Sequence, residues 1–288
     1  MATVIKGEYK HVNCDSEYGT LKKVIVCEPR YMKIDEIINE TQRHFAKDNI
    51  NMKRAMKQHQ HFVDTMKANG VDVYKLPAME KFPEQVFTRD IGFTIGETVF
   101  VSRMGSNIRD GEEKVLRNWL LEHQINLSLI EGDRIEGGDV IVHGDTVYIG
   151  VSGRTSEETI QELQSQLPHM KVIAVPFDPI YLHLDCVFNI LSEKDALIYK
   201  HAFEEKDYQY LAAKFNVIEV EKEEQFTMGT NVLSIGNKKV LSLPVNKNVN
   251  AALRERGYEV LEVDISEIIK SGGSFRCCSM PLYREEMH

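Results

Sequence analysis

Asp139 to Ser152 reads DVIVHGDTVYIGVS: a polar residue, an apolar run, a Gly-Asp turn and a second apolar run. Short β-rich runs joined by such a turn describe a β-hairpin. Three other stretches repeat the unit: Asp90 to Ser102 (DIGFTIGETVFVS), Asp185 to Tyr199 (DCVFNILSEKDALIY) and Thr230 to Pro244 (TNVLSIGNKKVLSLP). Their starting positions, 90, 139, 185 and 230, lie 49, 46 and 45 residues apart, and a further 47 reaches Cys277. There the pattern lacks its second half within the run CCSMPLYR. The segment Leu21 to Pro29 (LKKVIVCEP) near the other end supplies it.

A period of 40–50 residues is the signature of propeller-like arrays. Between successive hairpins lie a helical stretch and a short extra apolar run. The helical stretches are 41–69, 110–123, 156–166, 204–215 and 247–256; the extra runs are 70–76, 126–129, 170–175, 215–220 and 258–263. The expectation is an α/β fold, a five-bladed propeller of ββαβ units. Closure by both ends makes residues 1–288 a single domain. Equivalent positions in the blades would then bring Asp90, Asp139, Asp185 and Cys277 together near one end of the axis. Polar residues converging on a buried axis describe a site, because a core there would be apolar.

Composition narrows the function. The net charge of −9, with no basic face in the sequence, excludes nucleic acid as the expected partner. The polar stretch Met1 to His11 offers no apolar leader core, and no run of about 18 apolar residues offers a membrane span. Five irregularly spaced cysteines, 14, 27, 186, 277 and 278, read as reduced thiols of a cytoplasmic protein. No CxxC, HExxH, GxGxxG or Walker loop occurs, so neither a metal nor an organic cofactor is expected. The oligomeric state stays open, a homo-oligomer included.

Five segments carry a resemblance: Phe87-Thr-Arg-Asp90, Ile135-Glu-Gly-Gly-Asp-Val140, Gly150-Val-Ser-Gly-Arg-Thr-Ser156, His183-Leu-Asp185 and Arg276-Cys-Cys-Ser-Met-Pro281. In this order, across nearly the whole chain, they resemble the guanidine-modifying (amidinotransferase) superfamily, which includes arginine deiminases and dimethylarginine dimethylaminohydrolases. That family folds as a five-bladed α/β propeller. The resemblance implies Cys277 as nucleophile, His183 as general acid and base, and Glu136 as the acid working with it. It also implies Asp90 and Asp185 as the guanidinium clamp, with Arg154, assisted by Arg109, on the substrate carboxylate and Glu84 on its amino group. Asp139 joins the substrate-binding set or orients its neighbours. The small-molecule substrate is a guanidine and no cofactor takes part.

Those residue types suit the chemistry. A guanidinium is a poor electrophile, so a thiolate is the apt nucleophile, paired carboxylates orient the carbon, and an imidazole handles the departing nitrogen's proton. The expected reaction is hydrolysis of a guanidino C–N bond of arginine or a derivative. An amidinotransferase, with an amine replacing water, shares the first half-reaction, and a non-catalytic propeller that binds a partner is the third reading. The chain departs from both hydrolase types. It has Arg89-Asp90 where dimethylarginine hydrolases have an acidic pair, and it carries an aspartate two residues after the histidine, as deiminases do. Yet it lacks the length for the deiminases' helical insertion. Cys278 is expected to face away from the site by strand alternation.

Overall fold

The computed structural model describes residues 11–285; residues 1–10, most of the stretch read as lacking a leader, and His288 lie outside the described residues. Five three-stranded sheets make up the β-structure. In the first, β1 (Thr20–Cys27) pairs antiparallel with β15 (Met280–Glu285) and parallel with β2 (Asp72–Leu76). The others follow in chain order: β3 (Gly92–Ile95), β4 (Thr98–Val101) and β5 (Leu127–Leu129); then β6 (Val140–His143), β7 (Thr146–Val151) and β8 (Lys171–Pro176). Next come β9 (Phe188–Ile190), β10 (Asp195–Ile198) and β11 (Asn216–Glu219), and finally β12 (Leu233–Gly236), β13 (Lys239–Ser242) and β14 (Glu259–Glu262).

Within each sheet the first two strands form an antiparallel pair, and the third returns parallel to the middle one after a helix. The crossover is needed because parallel neighbours cannot be joined by a tight turn. Strands β3, β9 and β12 are buried along their whole length, whereas the third strands are largely exposed. This gradient puts the hairpin strands inside and the third strands at the rim. It is the α/β propeller arrangement expected from the repeat.

The turns follow local chemistry. Gly96, Gly144 and Gly236 take positive φ of 52°, 60° and 90° at three hairpin bends, the conformation that glycine adopts without a Cβ clash. The bend without glycine, 192–195, is held instead by the Ser192 hydroxyl, which accepts from the N–H groups of Lys194 and Asp195.

The helices are α1 (Glu40–Phe45), α2 (Met52–Ala68), α3 (Glu112–Glu122), α4 (Glu157–Gln166), α5 (Glu205–Ala212), α6 (Lys222–Phe226) and α7 (Lys247–Glu255). The helix expected over 41–69 is in fact two. Asn51 caps a fresh start by accepting from Arg54 N–H, while its own N–H donates to Glu267. Asn49 meanwhile ties the break to the backbone of Ile34. Helix α6 escaped the sequence reading because one and a half turns are too short for a periodic apolar face. None of the described helices is long and apolar enough to cross a membrane.

The start of each hairpin unit differs from a simple strand entry. Asp139 and Asp185 sit in 3-10 turns (Gly137–Asp139 and Leu184–Cys186), and Asp90, Thr230 and Cys277 sit in turns just ahead of their strands. Cys277 and Cys278 therefore do not alternate along a strand. Cys278 N–H donates to Ser274 O, and its side chain is fully buried in the core cluster that also holds Phe275.

Candidate active site

The five turns deliver their polar residues to one buried cluster. A narrow pocket is lined by Cys277, His183, Asp90, Arg109 and Glu84, together with Phe87, Leu182 and Gly273. Its tightness depends on glycine. A Cβ on Gly138 would stand 2.7 Å from His183 Cγ and 2.9 Å from Asp90 Oδ1, and one on Gly137 would stand 2.2 Å from Arg89 O. The Gly pair after Glu136 thus lets histidine and aspartate approach each other.

Cys277 is 3% exposed. Its thiol lies 3.8 Å from both oxygens of Asp185, and Asn231 Nδ2 donates to the sulfur at 3.3 Å. The Cys186 thiol, burial and the Asp185 carboxylate together hold the Cys277 thiol well above its ordinary pKa, so it is protonated at rest.

His183 is also buried, and Nε2 donates to Glu136 Oε2 at 2.7 Å while Nδ1 stands 3.7 Å from Asp90 Oδ1. Burial alone would favour the neutral ring, but Asp90, the Glu136 hydrogen bond and Asp139 outweigh it and push the imidazole pKa up. Glu136 shifts the other way: burial would raise it, yet His183, Arg154 and Arg109 hold it ionised. The pair rests as imidazolium and carboxylate, an acid ready to donate.

The carboxylates differ in how well they are satisfied. Asp90 Oδ2 accepts from Arg109 Nη1 at 2.5 Å, while its Oδ1 has no hydrogen-bond partner. Asp185 meets thiols at 3.7–3.8 Å and an ion pair with Arg276 Nε at 3.5 Å. Burial raises its pKa against the opposing pull of Arg276 and His183. Glu84 accepts from Gln42 and Ser271 and is pushed to about 7 by burial, despite the Arg109 charge.

Four expected site residues, Glu136, Arg154, Asp139 and Asp185, do not line the pocket. Glu136 lies behind His183, accepting also from Gly105 N–H and Arg154 Nη1, and Arg154 does not line the cavity. Asp139 has both oxygens occupied, by the Ser152 and Thr155 hydroxyls and by Leu184 N–H. The Gly150-Val-Ser-Gly-Arg-Thr155 segment therefore serves Asp139 as much as Arg154. Arg109 does reach the cavity but is spent on Asp90, Glu112 and Phe87 O. The sequence reading missed Gln42, Ser271, Glu112 and Asn231. Only Asn231 had a signal, as the neighbour of the polar residue that opens the fourth unit.

Donor atoms of Asp90, Glu136 and His183 lie within 4.8 Å of one another and could converge on a cation. Here Arg109, Arg154 and the protonated imidazole already neutralise those carboxylates, and a divalent ion would have to displace them.

A five-bladed α/β propeller with a cysteine, a histidine–glutamate pair and two aspartates at its axis defines the guanidine-modifying superfamily. Residues 28–284 match the model of a family described as N,N dimethylarginine dimethylhydrolase, eukaryotic, and the chain belongs to that family. The uncharacterized protein YkgA of Bacillus subtilis (strain 168) is 50% identical over 99% of each chain. The N(G),N(G)-dimethylarginine dimethylaminohydrolase of Mycobacterium tuberculosis is 27% identical over 81% of this chain and 78% of its own. An arginine deiminase of Bacillus cytotoxicus is 28% identical, with this chain spanning 64% of its length and 73% of the present chain covered. The crystal structure of the N-terminal domain of ArgZ, a cyanobacterial arginine dihydrolase, superposes with a TM-score of 0.83 at 24% identity, covering 91% of this chain and 98% of that domain. At that identity the likeness speaks for the fold.

Proposed function

We propose that this chain hydrolyses a guanidino C–N bond of arginine or an arginine derivative, through a covalent thiouronium on Cys277. One observation carries the reading: two buried carboxylates stand beside the Cys277 thiol and a charged histidine, Asp90 with its Oδ1 lacking a hydrogen-bond partner and Asp185 met only by thiols and the Arg276 ion pair. Buried acceptors are normally satisfied, and a planar cation with N–H groups on both edges would satisfy these. The dimethylarginine hydrolases and arginine deiminases that the chain resembles support the same substrate class.

The steps follow from the geometry. A guanidinium seated on Asp90 and Asp185 brings positive charge to the sulfur, which favours loss of the thiol proton to solvent. The thiolate attacks the guanidinium carbon, the C–N bond breaks, and His183 gives its proton to the departing nitrogen. Glu136 holds the ring in place through both states. Water then attacks the thiouronium carbon and passes a proton to His183. The carbon–sulfur bond breaks as the remaining hydroxyl proton leaves for solvent, giving a ureido product and a thiolate that takes a proton back to restore the resting thiol. Glu84 takes the substrate's ammonium in this reading, and that cation would favour its ionised form, which burial otherwise opposes by raising its pKa to about 7.

The deciding experiment incubates the protein with arginine, methylated arginines and other guanidines, and scores ammonia, amine and ureido products. A ureido product formed in water alone is the expected outcome. Product formed only when an amine acceptor is added would make the chain an amidinotransferase, and no turnover of any guanidine would leave a binding propeller.

A further inference from the structure

Asn231 lies next to the polar residue that opens the fourth hairpin unit and is fully buried. Its carboxamide is saturated. Oδ1 accepts from the backbone N–H of Arg276 at 3.1 Å and of Cys277 at 3.4 Å; Nδ2 donates to Asp185 O at 3.1 Å and to Cys277 Sγ at 3.3 Å. The orientation is fixed by these partners, because only the oxygen can receive two backbone donors and only the NH2 can meet a carbonyl.

We propose that Asn231 is a catalytic residue, the N–H donor that stabilises the Cys277 thiolate as it forms and again as it leaves the thiouronium. This deepens the thiol mechanism above and rests on it. The carboxylate nearest the sulfur works against ionisation. The thiol faces Asp185 at 3.8 Å on both oxygens, contacts that favour S–H and repel S−. The Asn231 bond changes in the opposite sense: a weak N–H···S contact becomes a charge-assisted one once the proton leaves. A bond that strengthens only when charge develops lowers the barrier, and a uniform one would not. The residue type fits the role. A carboxylate at residue 231 would keep the acceptor for the backbone but aim a negative oxygen at the sulfur.

Asn231→Asp is the near-isosteric test, read by the rate at which iodoacetamide alkylates the Cys277 peptide across pH, scored by mass spectrometry. Labelling at pH 8 should slow at least about tenfold, with the pH midpoint moved up by about one unit or more. The rising limb of kcat/KM against pH should move the same way. Circular dichroism and thermal melting verify the fold; should Asn231→Asp fail to fold, Asn231→Ser, which lacks the amide donor, replaces it. A folded variant that labels with the wild-type pH profile would overturn the proposal and leave Asn231 as a loop brace. Alkylation needs no substrate, so a wild-type protein that turns over no guanidine would defeat the hydrolase reading while this test still gives its answer.

Discussion

Two buried polar clusters share the axis of this molecule and are charged in opposite senses. Around Cys277 the carboxylates Asp90, Asp185, Glu136, Glu84 and Glu112 face Arg109, Arg154 and His183, and an Asp90 oxygen is left without a donor. Next to it, Arg89, Arg276 and Arg284 gather around the single carboxylate of Glu17, and the orphans there are donors: Nε of each arginine and Nη2 of Arg276. Burial is equally complete in both. The difference lies in what is left over: the first cluster has acceptors without a donor, while the second has donors without an acceptor and joins chain segments. Glu17 ties the N-terminal segment to Arg89 ahead of β3, to Arg276 ahead of β15 and to Val142 N–H in β6. Arg276 belongs to both clusters, through its 3.5 Å approach to Asp185.

The largest expected effect separates chemistry from framework inside the first cluster. Cys277→Ser should lower turnover by about 10⁴-fold or more, as loss of a nucleophile does, with the melting temperature nearly unchanged. Cys278→Ser should show the reverse, a less stable protein that still turns over substrate, because that thiol is buried in the core beside Phe275. Activity kept by Cys277→Ser and lost by Cys278→Ser would exchange their roles.

The second cluster should answer in stability. Burial raises the Glu17 pKa, yet Arg276, Arg89 and Arg284 outweigh it and hold the carboxyl at about 2, below its ordinary 4.5. A depressed acid contributes stability above its unfolded pKa and loses it as pH falls, here across the window from 4.5 to 2. Glu17→Gln leaves buried guanidinium groups unpaired and should cost about 3–5 kcal/mol at neutral pH. Its denaturant midpoint should then fall less steeply than the wild type's as pH drops through that window. Equal stability at pH 7 with parallel acid limbs would show that Glu17 does not hold this end together.

The two clusters were unequally legible in the sequence. The hairpins and their period were visible because alternation and Gly turns are local properties. The candidate catalytic cluster was visible because the repeat put Asp90, Asp139, Asp185 and Cys277 at one position of each unit. The Glu17 cluster was not, since Glu17, Arg89 and Arg284 meet only through pairings such as β1 with β15. Asn231 showed only its place beside the opening residue of its unit; its role was hidden because its partners lie 45 and 46 residues on, in the turn before β15. The helix break at 46–51 depends on Glu267 receiving the N–H of Asn51 from 216 residues away. What a residue does here by virtue of a distant partner left no mark in its own neighbourhood.

The smallest expected effect sharpens the acceptor character of the first cluster. If Asp90 Oδ1 and the Asp185 carboxylate both take N–H donors from the guanidinium, each terminal nitrogen has to present one. Two methyl groups on one nitrogen remove both its donors and leave one buried carboxylate unpaired. An unsatisfied buried group costs about 1–3 kcal/mol, more if charged, and each 1.4 kcal/mol is about tenfold. So kcat/KM should favour an unmethylated guanidine over asymmetric dimethylarginine by at least about tenfold, measured in competition as ammonia against dimethylamine. Asp185→Asn should narrow the ratio, because the amide no longer demands a cationic partner. The family match points towards the dimethylated compound and the two aspartates point away from it. A clear preference for dimethylarginine would mean that one of the two aspartates, Asp185 with its Arg276 neighbour being the better placed, is held for the thiol and not for the substrate.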